Sequence, residues 1–163
     1  MFLKDIVKFF APPPIRRIGF EDVLIAIKSG QNNTNNQMNS LIGFQSCLIN
    51  TMDPGSQTVL IPLTMPIANE EAKINEWMDK REFDIRIIIY GRNAADDTVE
   101  KKYRQLKSLG FSNVFVYSGG IFEWCLLQDI YGAKQFPTTA AVKDMLVYKP
   151  PCVFTHLRIE NAH

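Results

Sequence analysis

The chain has 163 residues, 46% hydrophobic and 21% charged, with a formal net charge of +1. That length holds one domain with a substantial core, and the near-neutral balance gives no electrostatic footprint for nucleic acid or an anionic membrane. No apolar run is long enough to span a bilayer, so no transmembrane segment is expected. The three cysteines, Cys47, Cys125 and Cys152, are scattered and odd in number. They make no disulfide framework and no CxxC pair, and a reducing, intracellular and cytoplasmic setting is the default expectation.

Phe2 to Phe10 carries Phe2, Leu3, Ile6, Phe9 and Phe10 in a rough amphipathic pattern. Lys4, Asp5 and Lys8 interrupt it, which argues against a secretory signal. A short helix is expected there, docked on its own domain rather than on a membrane or partner. Exposed apolar surface on it would favour a homodimer. Pro12-Pro13-Pro14 ends it and acts as a stiff spacer, so residues 1–14 read as a helix plus linker.

Ile15–Ile18 reads as a short first strand. Phe20–Lys28 reads as a helix with Val23, Leu24 and Ile27 on one face and Gly30 as its stop. Gln31–Ser40 is almost wholly polar and reads as a loop. Cys47-Leu48-Ile49-Asn50 and Val59-Leu60-Ile61 read as strands, with a turn at Asp53–Ser56. Asn69 is placed to cap a helix that buries Ile74, Trp77 and Met78.

The most informative stretch runs from Ile85 to Gly120. Ile87-Ile88-Ile89-Tyr90 is an unbroken apolar run, as in a strand buried on both faces of a parallel sheet. A polar loop follows, then a helical period through Val99, Tyr103, Leu106 and Leu109, with Gly110 as its stop. Val114–Tyr117 is the next strand, followed by Gly119-Gly120 and an apolar helix, Ile121–Tyr131. A last helix, Ala140–Val147, is expected behind Thr139 as its cap, before Pro150-Pro151 and a tail. Strands alternating with helices predict an α/β domain with a mainly parallel sheet covered on both faces. In such folds ligands bind at loops leaving the carboxyl ends of strands. The candidate site is therefore the loop Gly91, Arg92, Asn93, Ala94, Ala95, Asp96, Asp97, Thr98.

Several of these residues carry a resemblance. Leu109-Gly110-Phe111, Asn113-Val114 and Gly119-Gly120 with Trp124 four residues on match a run found in rhodanese-like proteins. Leu48-Ile49-Asn50 and Ile61-Pro62 resemble two further pieces of that family. The resemblance covers residues 15–137 and implies a rhodanese-like three-layer fold with a five-stranded sheet over residues 15–150, with 151–163 as tail. It also implies an active-site loop at Tyr90–Thr98. In an active rhodanese a cysteine directly follows the buried strand. Its thiolate takes up sulfane sulfur, and loop N–H groups stabilise the anion. Here that position is Gly91. Asn50 and Met52 stand where the family has an aspartate and an arginine, and Leu60 where a histidine is common.

Gly91 has no side chain to attack with. Asp96 and Asp97 would repel thiosulfate or phosphate, and either serves better as a helix cap than in a catalytic pair. Arg92 reads as a solvated loop residue. Cys47 and Cys125 read as buried, inert thiols. Cys152 with His156 is too little for a metal site, so no metal and no cofactor is expected. Lys101, Lys102, Arg104 and Lys107 read as a solvated helix face with a Glu100–Arg104 pair. The expectation is a catalytically inactive rhodanese-like domain that binds an unknown protein partner or serves a structural role. A sulfurtransferase with a displaced cysteine and a small-anion sensor are the alternatives.

Overall fold

The computed structural model describes residues 12–35 and 46–154. The expected helix Phe2–Phe10, His156 and His163 lie outside them. In chain order the elements are β1 (Arg17–Ile18), α1 (Phe20–Asn35), β2 (Ser46–Asn50), α2 (Ile67–Asp79), β3 (Arg86–Tyr90), α3 (Thr98–Ser108), β4 (Val114–Tyr117) and α4 (Gly120–Tyr131). The strands form one parallel sheet in the order β1-β4-β3-β2.

Side chains of β2, β3 and β4 alternate between two cores, as strand geometry requires. Leu48, Ile88, Tyr90 and Tyr117 pack with Val23 and Ile27 of α1 and with Ile121 and Trp124 of α4. Cys47, Ile49, Ile87, Ile89, Val114 and Val116 pack with Ile74 and Trp77 of α2 and with Val99, Tyr103 and Leu106 of α3. The apolar run of β3 is thus buried on both faces. Helices α3 and α4, which follow the adjacent strands β3 and β4, lie on opposite faces. The carboxyl ends of those two strands therefore form the crevice at which chain direction switches, the usual place for a ligand in such sheets.

The sheet has four strands among the described residues, not the five expected. Val59–Ile61 stays outside it because its backbone groups are used elsewhere. The Ile61 N–H donates to the Tyr90 hydroxyl at 3.1 Å. Leu60 exchanges two bonds with Thr139: its N–H donates to the Thr139 hydroxyl, and its carbonyl accepts the Thr139 N–H, both at 2.9 Å. Pro62, next in line, has no N–H to offer. Among the described residues a single bridge, Leu48 with Thr64, reaches the outer edge of β2.

Other boundaries also differ from expectation. The first strand shortens to Arg17–Ile18. Helix α1 does not stop at Gly30 but continues to Asn35. Gly30 makes room for Leu63, whose Cδ1 would stand 2.6 Å from a Cβ there. Helix α2 begins at Ile67 behind Pro66, so Asn69 sits inside it rather than at its cap. Glu100 pairs with Arg17 at 2.7 Å, not with Arg104.

The expected helix Ala140–Val147 is instead a strap with one 3-10 turn, Met145–Tyr148. Side chains of α4 hold the backbone that leads into it. The Trp124 indole N–H donates to the Pro137 carbonyl at 2.8 Å, and the Gln128 amide donates to the Phe136 carbonyl at 2.6 Å. Phe136 seals the strap against Trp124, with ring centroids 5.2 Å apart at 78°, an edge-on geometry suited to aromatic pairs. Among the described residues, no helix is long and apolar enough to cross a membrane.

Helix α4 starts at Gly120 with φ +63, where a Cβ would stand 2.7 Å from the Gly91 carbonyl oxygen. Gly120→Ala should therefore cost roughly 1–3 kcal/mol in denaturant unfolding. Gly55→Ala, with nothing within 4 Å of its Cβ position, should stay within about 0.5 kcal/mol of the parent. Equal effects at the two sites would refute the close approach.

Candidate functional site

The loop between β3 and α3 closes on one of its own carboxylates. Asp96 accepts the Arg92 N–H on Oδ2 at 2.9 Å. Its Oδ1 accepts the Thr98 N–H at 3.1 Å and the Thr98 hydroxyl at 2.5 Å. The charge thus satisfies two loop N–H groups, one of them at the otherwise orphaned start of α3. Asp97 occupies the N-cap position but makes no side-chain cap bond. It pairs instead with Lys101 at 3.0 Å, where both side chains are more than 70% exposed, an arrangement worth little in water.

Gly91 lies against this carboxylate. A Cβ at Gly91 would stand 2.6 Å from Val99 Cγ2 and 2.9 Å from Asp96 Cγ, with Asp96 Oδ2 closer still. The space where a side chain would begin is filled. The loop also feeds the next helix: the Gly91 and Arg92 carbonyls accept the N–H groups of Ile121 and Phe122, each at 3.0 Å. The positive end of α4 is therefore served by backbone oxygen, not left open to an anion.

Two residues tie the loop to the strap. The Arg92 guanidinium donates to the Val147 carbonyl at 3.0 Å and to the Ser56 hydroxyl at 3.1 Å. It is a half-buried latch, not the solvated residue expected. Asn93 is buried; its amide donates to the Tyr148 carbonyl at 2.7 Å, and its Oδ1 accepts the Ala95 N–H at 2.9 Å. The Asn93 contact spans 55 residues of chain, and nothing in the local sequence marks it.

Two of the cavities beside the loop carry several carboxylates. One, about 270 Å³, is lined by Thr51, Asp53, Arg92, Asp96, Asp97 and Pro151. The other, about 260 Å³, is lined by Arg17, Ala94, Asp97, Glu100 and Ser118. The lining of each holds more carboxylates than guanidinium groups. No group of three metal-ligating side chains converges among the described residues.

The family model described as the rhodanese-like domain matches residues 44–127. The chain belongs to the rhodanese-like domain family. No curated protein matches it. Among solved structures it is similar to the Rhodanese_3 like domain from the Anabaena sp. Alr3790 protein, at 21% identity and TM-score 0.43, covering 58% of this chain and 98% of that one. It is also similar to the BH2092 protein from Bacillus halodurans, at 23% identity and TM-score 0.48, covering 76% and 78%. A third is the Alr3790 protein from Anabaena sp., at 17% identity and TM-score 0.44, covering 74% and 93%.

In this rhodanese-like chain two of the thiols are buried. Cys47 pairs in register with Ile87, four residues and about 13 Å of strand before Gly91. Burial, reinforced by the charge of Glu70, pushes its pKa up to about 12. Cys125 is buried in α4, and burial pushes it up to about 11. Cys152 is exposed and directly follows Pro151 at the acidic cavity.

Burial likewise pushes the Tyr90 phenol up to about 12. All three groups keep their protons in the folded chain at a pH where the unfolded chain releases them. Their stabilisation is complete below about pH 9 and is lost as pH rises toward about 12. Denaturant unfolding at about pH 8 and about pH 10.5 should show a clear loss of stability at the higher value. A flat profile would mean that these groups ionise in place.

Proposed function

We propose that this rhodanese-like chain is catalytically inactive and acts as a protein-binding module, with Gly91–Thr98 as a degenerate active-site loop. The observation that carries the reading is the Asp96 carboxylate standing where a side chain at position 91 would start. The family's chemistry needs a nucleophile after the buried strand, and Gly91 offers none. It also needs free N–H groups for a sulfur anion; Asp96 occupies those of Arg92 and Thr98. The same occupation argues against small-anion sensing. What remains is a rigid scaffold presenting a latched loop, a common basis for contact with a partner. Residues 15–150 form the binding domain in this reading, because the strap through Tyr148 and Pro150 still borders the loop.

One observation favours a second reading, a sulfurtransferase with a displaced cysteine: Cys152 adjoins a residue lining the acidic cavity. Against it, Asp53, Asp96 and Asp97 in that cavity oppose the thiolate such chemistry requires.

The purified chain should produce no thiocyanate from thiosulfate and cyanide and should gain no sulfur in intact-mass measurements. Thiocyanate production that disappears in Cys152→Ala would overturn the proposal in favour of the second reading. A cysteine restored at the expected position should not rescue activity by itself. Gly91→Cys should lose roughly 1–3 kcal/mol of stability through overpacking. Asp96→Gly should then cost less in the Gly91→Cys background than in the parent, a non-additivity of at least about 0.5 kcal/mol. Strict additivity would separate Asp96 from the space beside Gly91.

A further inference from the structure

Phe122, Leu126 and Ile130 recur at four-residue spacing along α4, so their side chains share one face of the helix. Leu126 is 37% exposed and Ile130 70%. At the amino end of α4 this stripe enters a groove of about 500 Å³ lined by Ile18, Ala94, Phe122, Glu123, Leu126 and Pro150. Its walls come from both halves of the candidate site: Ala94 belongs to the loop, and Pro150 ends the strap. A larger groove of about 770 Å³ between α2 and α3 carries Lys102 and Glu70 paired across it at 2.5 Å.

The α4 stripe has carboxylates beside it, of which Glu123 lies next to the Tyr117 hydroxyl. Glu123 and Asp129 flank the apolar side chains, and neither joins an ion pair among the described residues. The amino end of α4 adds no available positive charge, because the Gly91 and Arg92 carbonyls take the N–H groups of Ile121 and Phe122. Apolar ground edged by carboxylates that meet no cation among the described residues complements an apolar segment edged by cations.

We infer that the groove and stripe bind a segment of a partner protein that presents aliphatic or aromatic side chains beside Lys or Arg. The inference rests on the protein-binding reading above and names the partner class for that site. The apolar side chain enters between Ile18, Phe122 and Pro150, and the basic residue meets Glu123. An acidic segment is rejected, because its carboxylates would face Glu123 without compensation.

The test is selection from a random-peptide phage library on the immobilised full chain, followed by fluorescence anisotropy with the enriched peptides. The enriched sequences should pair an aromatic or aliphatic residue with Lys or Arg, and their binding should weaken as salt rises. Leu126→Asp should weaken binding at least about tenfold. Glu123→Lys should do the same and should redirect selection toward Asp and Glu. Neither residue is fully buried, and an unchanged melting temperature in each variant would show that the fold is intact. Failure to enrich any peptide, enrichment without basic residues, or binding indifferent to both substitutions would overturn the inference. Self-association of the chain that is lost in Leu126→Asp would assign the stripe to a second copy and overturn it as well. Thiocyanate production would instead remove the inactive reading and leave the peptide result standing, so the two failures are distinguishable.

Discussion

Backbone meets backbone where the loop after β3 crosses the start of α4, and the arrangement of the candidate site depends on that crossing. The Gly91 and Arg92 carbonyls lie close enough to accept hydrogen bonds from Ile121 and Phe122 only because Gly120 has no side chain. The approach turns the first peptide groups of the loop toward α4. The reverse side of the loop is left to Asp96, whose carboxylate gathers the N–H groups of Arg92 and Thr98. Gly91 sits between the two, its own carbonyl turned to the Ile121 N–H of α4 and its Cα facing Asp96. The loop thus meets its own N–H groups with Asp96, while Arg92 and Asn93 bond outward to the strap.

The strap completes the closure from outside. Arg92 and Asn93 donate to the carbonyls of Val147 and Tyr148, and the aromatic contacts of Phe136 fix the other end of the strap to α4. Loop, α4 and strap are therefore one mechanical unit. The apolar groove lies where these three pieces adjoin, so its shape is set by the same contacts that close the loop.

The sheet core was readable because its signals are local. The run Ile87–Tyr90 is long, apolar and β-branched, and the period of Val99, Tyr103 and Leu106 fits a single helix face. Gly110, with φ +102, ends α3 as its position implied. What escaped depends on partners distant in sequence. Val59–Ile61 has strand composition, but its hydrogen-bonding groups go to Tyr90 and Thr139. Ala140–Val147 has helix composition, but Trp124, Gln128, Arg92 and Asn93 hold the chain around it in another path. At the candidate site, Gly91 and the two aspartates could be found in the sequence. Which aspartate turns inward depends on the three-dimensional course of the loop, and the roles of Arg92 and Asn93 depend on a strap more than fifty residues away.

The two tryptophans of the chain divide between the two faces of the sheet. Trp77 lies in the core under α2 and α3, with Phe111 edge-on at 6.3 Å. Trp124 lies in the core under α1 and α4, between Tyr117 and Phe136, and holds the strap through its indole N–H. Each layer of the fold thus carries its own intrinsic fluorophore. Emission from Trp124 reports on the layer that contains the strap, and emission from Trp77 on the layer that does not. Replacing one indole at a time with phenylalanine would separate local release of the strap from collapse of the whole sheet.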